Sequence, residues 1–344
     1  MNSSAKSKWK FPIWVVGWTL GVLGLMGMAY WTMMPCRTFV APPSGDEVGL
    51  KMKTEIAELE PALKRHVEVF GREIGERNIY HPEKLYEAAD YIRNVWEEQG
   101  FRVESQKYHA QGVLSENLWV EVPGKVLADE IVIVGAHYDS VMGAPGANDN
   151  GSGVAALLEI SGAFKKEGPM KRSVRFVAFA NEEPPFFPGQ DMGSQVFVKE
   201  VVVKRKENIQ GMICLETIGY YSNQRGSQKY PLFLGKFYPS EGNFLGMVAN
   251  LKNRGLLKQF NQYFRESTDF PCECIAAPSI VMGIDWSDHK SFWDHGYPAI
   301  MLTDTAVYRY PYYHDRTDLP ENLNYPEFAK AVYGIQKAIQ KLAD

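Results

Sequence analysis

Residues 130–153 read EIVIVGAHYDSVMGAPGANDNGSG. A continuous apolar run ends abruptly in His137, Tyr138 and Asp139, and a turn rich in Gly and Asn leads into GSGVAALLEISGAFKK at 151–166. The run reads as a buried strand and the following stretch as a helix, one half of a parallel crossover. The same alternation extends outward. Residues 55–71 and 81–98 carry helical spacing, with Gly100 placed to end the second helix. FRVESQKY (101–108) and NLWVEV (117–122) read as strands before the quoted stretch. After it come SVRFVAFANEE (173–183) as a buried strand, 191–206 as a helix and IQGMICLE (209–216) as a strand. Residues 241–266 look helical. SIVMG (279–283) and YPAIMLTD (297–304) read as short strands flanking SDHKSFWDHG, and 325–342 as a last helix. Strands alternating with helices predict a single α/β domain over 55–344. Its expected form is a three-layer α/β/α arrangement with a mostly parallel mixed central sheet.

Ligands of such sheets bind at the carboxyl ends of the strands. The polar residues there are His137-Tyr138-Asp139, Asn181-Glu182-Glu183, Glu216 and, after the last short strand, Tyr313-His314. His137, Asp149, Glu183, Glu216 and His314 offer two imidazoles and three carboxylates, the donors a zinc site uses. Five such ligands exceed one tetrahedral zinc. They suit two metals about 3.5–4 Å apart with one carboxylate bridging. Asp139, two residues after His137, is placed to accept the second ring N–H and hold the tautomer. In the Glu182-Glu183 doublet one residue can bind metal while its neighbour faces the water.

GAHYDSV…GANDNGSG, NEE followed by GS, SDHKSFWDHGYPA and YYHDRTD together resemble the co-catalytic zinc exopeptidases related to bacterial aminopeptidase S, aminopeptidase Y and glutamate carboxypeptidase II. The resemblance covers about residues 60–344 and implies the zinc-exopeptidase type of sheet. It implies His137, Glu183, Glu216 and His314 as zinc ligands and Asp149 as the carboxylate bridging two Zn2+ ions. Asp139 would orient His137, Glu182 would be general base and acid, and Tyr313 would stabilise the oxyanion. The implied reaction is metal-assisted hydrolysis of a peptide substrate, most simply by an aminopeptidase. Two departures stand out. Glu216 occupies a position where the family usually has Asp, and EEPPFFPGQDMGS is longer and richer in Pro and Phe than usual. The alternative is a single-zinc acyltransferase, since glutaminyl cyclases resemble the same fold and DLPENL after His314 echoes them.

Residues 11–36, FPIWVVGWTLGVLGLMGMAYWTMMPC, carry no charge. At about 1.5 Å per residue they are long enough to cross a bilayer of about 30 Å. Lys6, Lys8 and Lys10 precede them and aromatic residues lie near both ends, so a single-pass membrane anchor is expected. A cleaved signal peptide is the competing reading, with a shorter apolar region and a small-residue cleavage site that is not evident here. Residues 1–10 are then a basic flank and 37–54 a linker. The lysines favour an exported catalytic domain, on the periplasmic or extracellular side.

Composition narrows the rest. Of 344 residues, 37 are Lys or Arg and 41 Asp or Glu, a net charge of -4, which argues against a nucleic-acid binder. Four cysteines do not make a disulfide scaffold. No G-x-S-x-G elbow or phosphate loop is present. His66, His81 and His109 read as surface or packing residues, His289 as structural and His295 as a helix-end residue. Cys214 reads as a buried thiol. Cys272 and Cys274 are too close for an ordinary loop-closing disulfide, leaving a strained local pair or free thiols. Tyr308, Tyr310 and Tyr312 fit either packing or a pocket rim. Oligomeric state is left open.

Overall fold

A computed structural model of the chain describes residues 46–231 and 234–344. The flank at 1–10, the anchor expected at 11–36 and the first part of the linker lie outside the described residues. Among the described residues no helix is long and apolar enough to cross a membrane. The strands are β1 (Glu104–Ala110), β2 (Val113–Val122), β3 (Leu127–His137), β4 (Arg172–Phe179), β5 (Asn208–Glu216), β6 (Ser222–Arg225), β7 (Glu241–Gly242), β8 (Leu245–Ala249), β9 (Cys272–Ala276) and β10 (Ala299–Thr303). The α-helices are α1 (Asp46–Glu68), α2 (Pro82–Glu98), α3 (Gly151–Glu167), α4 (Gly193–Phe197), α5 (Arg254–Arg265), α6 (His289–Asp294) and α7 (Tyr325–Ala343).

The main sheet has the order β1-β2-β4-β3-β5-β10-β8-β9. Its centre, β4-β3-β5-β10, is parallel throughout. β1, β2 and β8 join antiparallel, and β9 runs parallel to β8. Both faces of the centre are apolar, and alternate residues serve alternate layers. Val132, Val134, Ile213, Leu215, Phe176 and Leu302 pack with α1, α2, α3, α5 and α7. Ile133, Val177, Phe179, Met212, Cys214 and Met301 pack with Phe197 of α4, the wider turn Val198–Val203 that continues it, and Phe292 of α6. Continuous apolar runs such as VIVGA and FVAFA therefore mark strands buried on two sides, and they form the expected three layers.

The crossover helix α3 starts where Asn150 accepts a hydrogen bond from Gly153 N (3.1 Å), a side-chain N-cap, and stops at Gly168, whose φ is 86°. This start fixes Asp149 at the carboxyl end of the sheet.

Three local expectations are corrected. Residues 241–266 are not one helix. Gly242 and Gly246 interrupt the helical spacing, and Leu245–Ala249, buried throughout, forms β8 between β10 and β9. The α-helix begins at Arg254, after the Asn250 side chain accepts from Asn253 N (3.0 Å). Residues 279–283 are turns rather than a strand: Val281 N bonds Pro278 O (2.9 Å), and Gly283 adopts φ 92°. The strand of this region is β9, CECIA, whose Glu273 hides it from an apolar-run reading. Finally, α1 begins at Asp46, so the second half of the stretch read as linker is helical.

Phe176 is fully buried and meets Phe164 edge to face, with centroids 5.4 Å apart. Phe176→Ala is expected to cost about 3–5 kcal/mol of unfolding free energy. Denaturant titration checks this, and a loss below about 1 kcal/mol would contradict the packing described.

Candidate active site

The parallel strands deliver their last residues to one crevice. His137 ends β3, Glu216 ends β5, and Glu182 and Glu183 follow β4. Asp149 sits just before α3, and His314 lies in the loops after β10. His137, Asp149 and Glu216 place one donor atom each within 4.8 Å of one another, and Asp149, Glu183 and His314 do the same. Asp149 belongs to both groups and faces them with different oxygens. Its Oδ1 lies 3.5 Å from His137 Nε2 and its Oδ2 lies 3.2 Å from His314 Nε2. Glu216 Oε2 is 3.2 Å from His137 Nε2, and Glu183 Oε2 is 3.2 Å from His314 Nε2. All five residues named from the sequence as metal ligands thus meet in two clusters that share one carboxylate.

The backbone at these strand ends is unusual. Asn181, Thr217 and His314 have φ of 58°, 43° and 58°. Such values suit Asn, whereas for β-branched Thr217 they are a strained exception. Strain of about 1–3 kcal/mol per residue persists only where surroundings impose it. Here Asn181 Nδ2 donates to Ser115 Oγ (2.7 Å), and Thr217 N donates to Asn150 Oδ1 (3.0 Å), so both sharp turns are held by buried polar contacts.

Asp139 has more to do than the sequence suggested. Its Oδ1 lies 3.4 Å from His137 Nδ1. Its two oxygens also accept the N–H groups of Glu182 (3.0 Å) and Glu183 (3.1 Å). One carboxylate therefore ties the end of β3 to the Glu doublet. Glu182 Oε2 stands 3.9 Å from His137 Nε2. Tyr313 stacks on His314, with centroids 3.9 Å apart, and shares with Glu216 the wall of a cavity of about 120 Å³. Its other walls are mainly apolar, including Leu234, Met247, Val281 and Met301.

Burial and crowding set the protonation states. Burial raises the Glu182 carboxyl well above its ordinary range against the pull of His137, and Glu216 and Glu183 add to the rise. Burial, then the Asp149 charge, pushes Glu183 up to about 8. Burial also raises Asp149, but hydrogen bonding and charge from His137 and His314 outweigh it and hold that carboxylate low. Burial opposes the charge on His314, yet Asp149 and Glu183 push it up to about 11. Burial keeps the Tyr313 hydroxyl protonated, and the surrounding carboxylates reinforce it.

The site fits zinc by its donor set and by its unsatisfied atoms. His137 Nε2 and Glu183 Oε1 are buried and find no hydrogen-bond partner among the described residues. Native interiors rarely leave such groups orphaned, so a ligand-shaped need is built in. Nitrogen and carboxylate oxygen are the donors zinc takes.

Several contributors were not singled out from the sequence. Ser287 Oγ donates to Glu216 Oε2 (2.6 Å). Asp318 accepts the N–H of Asn148 (2.8 Å) and of Asp149 (3.1 Å), and also the Tyr310 hydroxyl (2.6 Å). Asp304 accepts from Asn148 Nδ2 (2.8 Å). Asp288 is fully buried, and burial pushes it up to about 7. The polar run Ser287-Asp288 between apolar stretches was a visible signal for two of these residues. Asp318 closes the quoted YYHDRTD and Asp304 ends the strand YPAIMLTD, but neither stretch showed which N–H groups these carboxylates accept.

The residues set aside behave as expected. His289 is buried, with Nε2 2.8 Å from Ile284 O. His66 bridges Tyr91 and Glu159, His81 and His109 lie near the surface, and His295 caps the end of α6. Cys214 and Cys272 are buried free thiols, whereas Cys274 is disulfide-bonded, so neither a local Cys272–Cys274 pair nor two free thiols describes these residues. Tyr310 packs and hydrogen bonds, whereas Tyr308 lines the cavity.

A family model described as peptidase family M28 matches residues 117–339. The Escherichia coli (strain K12) protein YfbL is 36% identical over 283 residues, covering 79% of this chain and 85% of YfbL. Aminopeptidase YwaD of Bacillus subtilis is 34% identical over 111 residues, 32% of this chain and 23% of that protein. An aminopeptidase of Pseudomonas aeruginosa (strain UCBPP-PA14) is 31% identical over 137 residues, 40% of this chain and 23% of its own length. The chain thus spans most of YfbL but only about a quarter of these aminopeptidases. Among solved structures, BSAP, a zinc aminopeptidase from Bacillus subtilis, has a TM-score of 0.65 at 14% identity, covering 82% of this chain and 95% of BSAP. A Fimbriiglobus ruber glutaminyl cyclase has a TM-score of 0.60 at 17% identity, covering 82% and 94%. Both likenesses show the fold.

Metal ligands must lose their protons to bind, and near neutral pH Glu183 and His314 hold theirs. Zinc uptake at pH 7 is expected to release at least about one proton per chain, and affinity is expected to fall as pH is lowered. Calorimetric titration in buffers of different ionisation enthalpy reads this directly. Uptake without proton release would contradict the assigned ligands.

Proposed function

This chain belongs to peptidase family M28, and on that footing we propose that it is a two-zinc aminopeptidase. The observation that carries the reading is Asp149, whose two oxygens serve two complete ligand clusters. His137 and Glu216 would hold one ion, His314 and Glu183 the other, with Asp149 between them. A single-zinc acyltransferase would need only one such cluster.

Zinc held there supplies a water acidified towards a pKa of ~7 and a polarised scissile carbonyl. The rest is done by the chain. Glu182 takes the proton of the attacking water and passes it to the departing amine. Its backbone N–H is held by Asp139, and burial raises its proton affinity, which favours uptake of the proton from water. Tyr313, kept protonated, donates to the oxyanion as it develops. The aminopeptidase relatives support trimming from the amino end. The adjoining apolar cavity accommodates a hydrophobic side chain of the residue removed.

The proposal retains the single-pass anchor at 11–36, with the catalytic domain exported. The full chain is expected to stay in the membrane pellet through an alkaline carbonate wash, and release into the supernatant would count against the anchor.

Glu182→Gln is expected to keep zinc and to lose activity by about 10²–10⁴-fold. Mass spectrometry of a mixed peptide pool, with zinc or with chelator, is the test of function. Stepwise loss of N-terminal residues, abolished by chelator and by Glu182→Gln, is the expected result. Loss of ammonia from N-terminal Gln, with one zinc per chain, would replace this reading with the cyclase.

A further inference from the structure

Arg77 is fully buried, yet among the described residues no carboxylate lies within ion-pair distance of it. Its guanidinium is committed to backbone carbonyls instead. Nε donates to Tyr138 O (2.5 Å). Nη1 donates to Phe70 O (3.1 Å), Gly75 O (3.0 Å) and Pro145 O (2.6 Å), and Nη2 to Gly146 O (2.8 Å). Its own backbone pairs with Ser140, Arg77 N donating to Ser140 Oγ (3.1 Å) and Ser140 N to Arg77 O (3.0 Å). The Phe70 ring lies 5.1 Å from the guanidinium carbon.

The acceptors are the informative part. Tyr138 separates His137 from Asp139, and Gly146 lies three residues before Asp149. One planar fork thus grips the end of β3 and the loop running into α3, the two segments that carry His137 and Asp149. The space around it is filled. A Cβ on Gly146, whose φ is 66°, would collide with Asp149 O and lie 2.7 Å from Ser140 Cβ. Burial draws the guanidinium down to about 10, and the charges of Asp139, Asp318, Asp149 and Glu183 oppose this, so it remains a cation at neutral pH. Only a rigid fork with N–H groups in fixed directions can satisfy carbonyls arriving from three separate segments, and an ammonium cannot.

We propose that Arg77 is a positioning residue for the metal site, setting the separation and orientation of His137 and Asp149 through the carbonyls of Tyr138, Pro145 and Gly146. The proposal rests on the two-zinc reading of the cluster. Removing a contact that orients ligands typically weakens metal binding by about 10–100-fold.

The test uses the full-length protein and three variants: Arg77→Lys, Arg77→Met and the core control Phe176→Ala. Zinc affinity and stoichiometry are measured by competition with a chromogenic chelator, and the visible absorption of the cobalt-loaded protein is recorded. Both Arg77 variants are expected to lose at least about tenfold in zinc affinity and to shift the cobalt spectrum. Phe176→Ala is expected to lose stability while keeping affinity and spectrum. If Arg77→Met does not fold, Arg77→Lys decides, since it keeps the cation and loses the fork. Wild-type affinity and spectrum in Arg77→Lys would overturn the proposal, as would failure of both Arg77 variants to fold, which would make the residue purely structural. Wild-type protein that binds no zinc would overturn the two-zinc reading itself and this inference with it. Wild-type binding with unaltered Arg77 variants would overturn the inference alone.

Discussion

Asp139, Asp149, Glu182, Glu183 and Glu216 are all buried at one end of the sheet. Carboxylates gathered this closely in a poorly solvated place repel one another, and each loses hydration on burial. The arrangement holds together only because positive or proton-donating groups are interleaved with it. His137 and His314 stand between the acids, and the N–H groups of Glu182 and Glu183 point at Asp139. Ser287 donates to Glu216, and Asn148 and Asp149 offer their N–H groups to Asp318. The raised proton affinity of Glu182, Glu183 and His314 reports the same demand for positive charge, which a pair of divalent cations would meet.

The parallel centre of the sheet makes that crowding geometrically possible. β3, β4 and β5 end side by side at the same edge, so residues that follow them are neighbours without being near in sequence. Strand spacing brings backbones to about 4.8 Å. Positive φ occurs at Asn181, Thr217 and His314, and at Thr217, where β-branching disfavours it, a buried hydrogen bond to Asn150 holds the turn. The apolar cavity beside Glu216 and Tyr313 is built by the other part of the sheet, with Met247 and Val248 from β8, Cys274 and Ile275 from β9 and Met301 from β10. The candidate metal cluster and the apolar cavity thus come from adjacent strands of one sheet.

How legible the protein was depends on the range of each interaction. Two-sided burial writes an uninterrupted apolar run, so β3, β4, β5 and β10 were readable with the polar residues at their ends. The candidate ligands were legible for the same reason, because His137, Glu183 and Glu216 break such runs. β8 and β9 were not. LGMVA lies between glycines and next to a true helix, and CECIA carries a charge in its middle, so their identity as strands depends on partners distant in the chain. Arg77 was silent, since nothing around it in sequence shows that it reaches carbonyls beside His137 and Asp149, and Asp318, though inside YYHDRTD, gave no sign that it accepts the N–H groups of Asn148 and Asp149.

By itself the sequence determined the layer architecture, the crossover helix after Asp149 and the list of zinc-type donors. Hydrophobic periodicity and residue chemistry are local properties that survive without coordinates. Tertiary structure decided which oxygen of Asp149 faces which histidine, that Asp139 holds both glutamates by their backbones, and that a buried guanidinium grips the carbonyls of Tyr138 and Gly146 beside His137 and Asp149. Those are matters of distance and direction between segments far apart in the chain, and only packing of the whole sheet and its helices specifies them.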